Sequence, residues 1–508
     1  SHRAVYDLRQ RPTLARFLPL VPLLLWLIWS QSRPETRPLA PVSLILFGGG
    51  FVLAILLLAI LARRTVRAGP DMLHRRIDRF QRLVFFARIG LIAWWGYGLW
   101  HLDWGLATRE ITRFASGWPI DGPAVLVATL PAYLAWLALA WAQYPVERRW
   151  REQNLMIRFD QLQPLHPAPT LREHLSQTLR LQLLFTLAPI AMVILLRDTF
   201  SLIAFGRYDL QHVSTQLLIS GLSVLIVFIL APEILLRVLP TQPLPPGPLR
   251  DRLERFCRRA GLRYRAIRLW NTHHTMSNAA VMGVVPQVRY ILLSDMLIET
   301  LTARQIEAVF AHEAGHVRHR HMVWYFLFII AGVLLLDGPG VWLAGRLDAL
   351  MPRSLMIWEW IFSVGGLVAL LVVFGAISRR CERQADVFAA RAIEPDDPID
   401  PPLASDASAP IPGEYGAEVF AQTLRRVAEV NGMPLDGRPR TGRLVPDLIT
   451  WLQDHAGHFL HGTIAQRMNF VRDLARSPEK SHAFDRSMRV IFTSIGLLLV
   501  AGIAAMMV

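Results

Sequence analysis

The sequence predicts a multi-pass α-helical membrane protein that carries a mostly helical water-facing domain with a small β-sheet. Three observations predict it. Of 508 residues, 53% are hydrophobic and 16 are Trp, and the mean hydropathy is +0.33, an excess that a soluble chain of this length does not carry. Nine apolar runs are long enough, or nearly so, to span a bilayer, at about 17–31, 40–62, 84–101, 123–142, 181–196, 217–239, 322–345, 357–377 and 489–508. One stretch, 240–321, breaks this series with alternating patterns and then an amphipathic helix.

The first six runs are expected to form an N-terminal membrane domain, 1–239, in which the first and fifth runs are short. Their orientation follows from arginine, because loops on the cytoplasmic side carry the excess of basic residues. Four arginines precede the first run, seven lie between 63 and 83 and six between 143 and 180, whereas the alternate connections hold two each. The N-terminus is therefore expected inside, and the chain returns to the cytoplasm after the sixth run. Arg88 and Glu233 fall within or near runs, and either line a cavity or reach to a membrane face. The net charge of +15 rests almost wholly on arginine, Lys480 being the one lysine, a bias of GC-rich and typically bacterial genomes. The expected location is thus a bacterial inner membrane. Because the arginines sit between apolar runs, the charge reports topology and no nucleic-acid partner is expected. No short apolar segment with a cleavage site opens the sequence, so no signal peptide is expected. Cys257 and Cys381 are too few for a disulfide framework and are expected to be reduced.

A second domain is expected over 240–488, interrupted by a two-span hairpin at 322–377, with a final span at 489–508. It opens on a linker, "PTQPLPPGPL", and a basic amphipathic segment from Arg250 to Arg259. "YRAIRLW" (264–270), "NAAVMGV" (278–284) and "VRYILLS" (288–294) read as short strands parted by turn residues such as Gly283 and Pro286. "TARQIEAVFAHEAGHVRHRH" reads as a helix capped by Thr302 and running toward the seventh span. Residues 393–413 are acidic, Pro-rich and aperiodic, the composition of a loosely ordered loop. Helices near 416–430, ending at Gly432, and over 461–476 complete the domain.

The chemistry concentrates at His312, Glu313 and His316. On a helix, residues four apart share a face, so both imidazoles can meet one zinc ion with Glu313 beside it. By chance an H-E-x-x-H pattern arises in about 2% of chains of this composition. A catalytic zinc keeps three protein ligands and an open position for water, from which Glu313 can take the proton during attack on a peptide carbonyl. The third ligand is not a histidine six residues beyond His316, since that position is Met322. His319 lies about 10 Å along the helix from His312, too far to converge, and it and His321 are expected to be a solvated pair facing lipid headgroups. "CERQAD" offers Glu382 as third ligand, with Asp386 one turn on to accept the second N–H of a ligating histidine. An even number of spans separates His316 from Glu382, so both face the same side. The alternative is that Glu382 and Asp386 balance Arg379, Arg380 and Arg383 on a juxtamembrane helix.

Four pieces in order, "SNAAVMG", "HEAGH", "SRRCERQADVFAAR" and "HGTIAQRM", over roughly 240–480, resemble the integral-membrane gluzincin peptidases, the family of the eukaryotic CAAX prenyl endoproteases and the bacterial HtpX-type heat-shock proteases. The "SNAAVMGVVPQVRYILLSDML" stretch looks closer to the CAAX-protease branch. The resemblance implies an embedded zincin-like catalytic domain holding one zinc per chain. It implies that Asn278 and Ala279 belong to a strand that binds substrate main chain, and that His461 and Arg467, from the family's His-Pro…Arg motif, stabilise the oxyanion and hold substrate. Here Gly462 stands where the family has Pro, and the six N-terminal spans have no counterpart. The implied activity is zinc-dependent hydrolysis of peptide bonds in membrane-associated or misfolded membrane proteins. Rival readings are CAAX-type processing of lipidated C-termini and a non-catalytic metal-binding peptide scaffold or sensor. A transporter is disfavoured because the spans show no paired repeats.

Overall fold

A computed structural model of the chain describes residues 18–31, 40–67, 70–112, 120, 122–160, 166–210, 212–336, 346–347, 355–393, 413–431, 433, 435 and 461–506. It divides into two compact units, Ser1–Pro240 and Thr241–Val508. Of the stretch 393–413 that the sequence predicts to be a loop, residues 394–412 lie outside the described residues, as does Gly432.

In the first unit the apolar runs fold as α1 (Val21–Gln31), α2 (Pro41–Val66), α3 (Pro70–His101), α4 (Trp104–Ile111), α5 (Gly122–Asp160), α6 (Leu171–Gln177), a π-helical stretch at Thr178–Leu184, α7 (Phe185–Ala204) and α8 (Val213–Val238). Among the described residues, six helices of the chain are long and apolar enough to cross a membrane. Five are here, over Pro41–Val66, Arg75–His101, Gly122–Gln153, Leu171–Ala204 and Thr215–Val238; the sixth, Pro478–Ala504, belongs to the second unit. Leu18–Ser30 and His321–Leu335 are apolar but shorter. The fifth run, expected to be short, is instead part of the 34-residue helix Leu171–Ala204. A capping box at Thr170 and Glu173 starts that helix ahead of the apolar run. The π-helical stretch then carries it past polar Arg180 and Gln182, whose Oε1 accepts from Trp136 Nε1 at 3.1 Å.

Indole groups in this unit find internal partners, as a site without water demands. Trp95 and Trp104 both donate to the Ala128 carbonyl at 2.9 Å, and Trp94 donates to Phe47 O at 3.0 Å. Arg88 is only 6% exposed and lies 5.0 Å from the Trp136 ring centroid, so it is buried against an aromatic face rather than stretched to the surface.

The second unit holds β1 (Thr241–Pro243), α9 (Pro248–Arg259), β2 (Ala266–Trp270), β3 (Ala279–Met282), β4 (Tyr290–Ser294), α10 (Asp295–Thr300), α11 (Ala303–Arg318), α12 (His321–Leu335), α13 (Leu355–Ala392), α14 (Glu414–Asn431), α15 (Ile464–Arg476) and α16 (Pro478–Met506). The three expected strands form, and β1 joins them from within the supposed linker. The sheet order is β1-β2-β4-β3, with β2 and β4 parallel and the two outer pairs antiparallel. β4, buried along its whole length, is the centre of the core. Ile291 and Leu293 of β4 pack with Phe256 of α9, Phe310 of α11, Phe388 of α13 and Phe420 of α14. Each such burial contributes about 1.5–3 kcal/mol. α12 packs on α16 through Phe328, Met488 and Ile495, with Trp324 stacked on Phe492 at 4.8 Å.

Candidate metal centre

Thr302 opens α11 with a capping box closed by Gln305, as its sequence predicts. Ile306, Phe310, Ala311 and Ala314 then bury one face of the helix in the core. Gly315 sits against α13 so closely that a Cβ there would lie 2.9 Å from the Ala385 Cα. This contact between backbones brings the H-E-x-x-H turn level with Glu382, Gln384 and Asp386, which flank Ala385. Gly315→Val is therefore expected to cost about 1–3 kcal/mol by forcing the helices apart. The check is a lower thermal midpoint together with weaker metal binding; an unchanged midpoint would show that the helices separate without cost.

The alternative in which Glu382 only balances nearby arginines does not describe its surroundings. His312 Nε2 and His316 Nε2 are 3.3 Å apart, and each lies 3.5 Å from an oxygen of Glu382. Two ligands bound about 2.0–2.1 Å from a tetrahedral ion are separated by roughly 3.3–3.5 Å, so the two nitrogens and the carboxylate fit a metal of that size. The donor set, two imidazoles and a carboxylate, also suits zinc.

Other groups hold these donors from behind. Asp386, with 0% exposure, places Oδ1 2.8 Å from His312 Nδ1. Arg467, also buried, grips Asp386 with Nη2 at 2.6 Å and Nε at 2.9 Å, and its Nη1 is 3.5 Å from Glu382. Its guanidinium is thus engaged by the carboxylates, a placement behind the ligands that differs from the substrate-holding role expected of it. His461 is 58% exposed in its side chain and sets Nδ1 3.0 Å from Glu382 Oε1. The neighbouring Gly462 has φ +74°, which proline, fixed near −65°, does not adopt; the departure from the family motif is a different turn that still brings His461 to the site.

His321 overturns the expectation of a solvated pair. It is 0% exposed, with Nδ1 2.9 Å from His316 Nδ1 and Nε2 2.9 Å from Gln384 Oε1. His319 is partly buried and stacks on His321 at 5.7 Å. The cause is Arg320, whose φ of 56° ends the helix and turns His321 back toward α13. A continuous helix, which the sequence predicts, would carry it away.

The electrostatics follow from this packing. Burial alone would raise Glu382, but hydrogen bonds with His312 and His461 and the charge of Arg467 hold it well below the usual carboxylate range. Burial likewise opposes charge on His312, yet its bonds to Asp386 and Glu382 prevail and hold it up at about 9. His316 is held well below its ordinary value by burial and by His312. Glu313 is raised by burial, which brings its carboxylate closer to the range of a working base.

Glu313 Oε2 accepts from the Val281 backbone N–H at 3.3 Å. β3 is an outer strand of the sheet. Asn278 is exposed, and its carbonyl accepts from Ser294 N–H at 3.0 Å while its N–H donates to Ser294 Oγ at 2.9 Å. By the alternation of an antiparallel pair, Ala280 and Met282 also turn their polar groups to β4, and Ala279 and Val281 turn theirs outward beside Glu313. The Ala279 side chain itself is buried.

Residues 243–405 match peptidase family M48. This stretch is an M48 peptidase domain. The M48 match takes in His312, Glu313, His316, Glu382 and Asp386 and ends before His461 and Arg467. An M48 match on a chain whose described residues include six helices long and apolar enough to cross a membrane is the make-up of a membrane metalloprotease. Among solved structures the chain is similar to the crystal structure of S. mikatae Ste24p, with 16% identity over 86% of this chain and 100% of that one, at a TM-score of 0.40. No curated protein matches the chain.

Proposed function

We propose that the chain is a zinc-dependent endopeptidase of the membrane, with one ion per chain held by His312, His316 and Glu382, acting on membrane-associated or misfolded membrane proteins. The observation that carries the reading is the cluster of donors, in which the two Nε2 atoms are 3.3 Å apart and each lies 3.5 Å from a different oxygen of Glu382, with Glu313 adjacent in sequence. When bound, zinc supplies a Lewis acid that polarises a carbonyl and lowers the pKa of water.

The remaining work falls to side chains. Glu313 takes a proton at its carboxylate during attack and returns it to the leaving amine. Asp386 fixes the ring of His312, and Arg467 keeps Asp386 charged and in place. The outward groups of Ala279 and the carbonyl of Val281, with Asn278 at the start of the strand, receive the substrate main chain as an added strand. His461, exposed beside Glu382, offers a donor to the developing oxyanion. An intact Glu313 favours catalysis over a peptide-binding scaffold, which needs metal ligands but no base. The arginine pattern supports an inner-membrane protein with this site toward the cytoplasm.

The test is elemental analysis of the purified chain in detergent, paired with cleavage of an unfolded membrane protein with and without chelator. About one zinc per chain and chelator-sensitive cleavage are expected. A wild-type chain that takes up no zinc would sink the reading.

A further inference from the structure

His316 presents Nε2 to the other donors, 3.3 Å from His312 Nε2 and 3.5 Å from Glu382 Oε1. A neutral imidazole that ligates through Nε2 carries its proton on Nδ1. That proton points at His321 Nδ1, 2.9 Å away, which must then be an acceptor. The proton of His321 is consequently on Nε2, and 2.9 Å from it stands Gln384 Oε1, a group that can only accept. The three side chains admit this one consistent assignment. Reversing it would put the proton of His316 on Nε2 and deny that nitrogen to a metal. His321 is fully buried, so no bulk water substitutes for either contact.

We propose that His321 is a positioning residue for His316: oriented by the Gln384 amide oxygen, it holds the imidazole in the tautomer whose Nε2 lone pair faces the metal. The inference rests on the zinc-site reading above and extends it to a residue outside the H-E-x-x-H turn. The two ligating histidines are then supported by unlike means. His312 leans on an ionised carboxylate backed by Arg467, and His316 leans on an uncharged chain that ends in an amide. Both chains are anchored on α13 within three residues, at Gln384 and Asp386.

The experiment measures the zinc dissociation constant of the full chain in detergent by competition with a chromophoric chelator. Compared are the wild type, His321→Leu, His321→Asn and Gln384→Leu. His321→Leu fills the space without an acceptor and is expected to weaken zinc about 10–100-fold. His321→Asn keeps an acceptor for His316 and a donor for Gln384 and is expected to recover most of that loss. Gln384→Leu leaves the packing of His321 in place and is expected to weaken zinc in the same direction, which keeps the test alive should His321→Leu not fold. Equal affinities for His321→Leu and His321→Asn, weakened or not, would overturn the proposal by showing that only volume matters there. If the wild type binds zinc while all three variants match it, this inference falls and the zinc-site reading stands; if the wild type binds none, both fall.

Discussion

Replacing Glu313 by glutamine is expected to reduce turnover by about 10²–10⁴-fold while leaving the zinc content unchanged. Glutamine has the same shape and keeps an oxygen to accept from Val281 N–H, now at 3.3 Å from Glu313, so the fold near β3 loses nothing. What it lacks is a site for a proton. The cluster of His312, His316 and Glu382 does not include Glu313, and metal affinity therefore has no reason to change. Turnover of a peptide substrate, zinc per chain and thermal midpoint are measured on the same preparation. Retained turnover would remove Glu313 from the base role; loss of zinc would mean that it supports the ligands instead.

Glu382→Ala is expected to empty the site, with zinc per chain falling to a small fraction of the wild-type value. Each oxygen of the carboxylate lies 3.5 Å from the Nε2 of one histidine, and His461 and Arg467 both lie within 3.5 Å of the group. Its loss should weaken binding by more than the roughly 10–100-fold seen when an orienting residue is removed. Asp386 remains to neutralise Arg467, so the variant should stay folded. Elemental analysis after gel filtration reads the outcome. Full zinc occupancy would exclude Glu382 as a ligand and would leave its low pKa a matter of ion pairing alone.

The parts of this centre that the sequence discloses are those governed by local periodicity. The four-residue spacing of His312 and His316, the Thr302 cap and the three strands follow from rules that act within a turn or two of chain. Glu382 is within reach too, because membrane topology restricts which side of the bilayer a residue can occupy. What escapes is set by single backbone events or by contacts distant in sequence. One left-handed residue, Arg320, moves His321 from a solvated face to the back of a ligand. β1 is hidden because Pro243 argues against a strand, and only an edge position tolerates it. The seven-residue π-helical stretch lengthens the fifth span past the point where hydropathy fades. Arg467 reads as a substrate contact from its motif, yet its partner Asp386 is 81 residues away and buried.

The sheet has two edges, and they are not equivalent. On one side β1 is three residues long, ends in Pro243, which has no N–H to offer, and is followed after Leu244 by Pro245 and Pro246. On the other, β3 turns backbone groups outward next to Glu313. The two edges therefore differ in what they offer: an extended chain that pairs with this sheet finds a fuller row of backbone groups along β3, next to Glu313, than along β1. The prolines beside β1 thus act as a guard rail, leaving β3 as the edge better suited to backbone pairing.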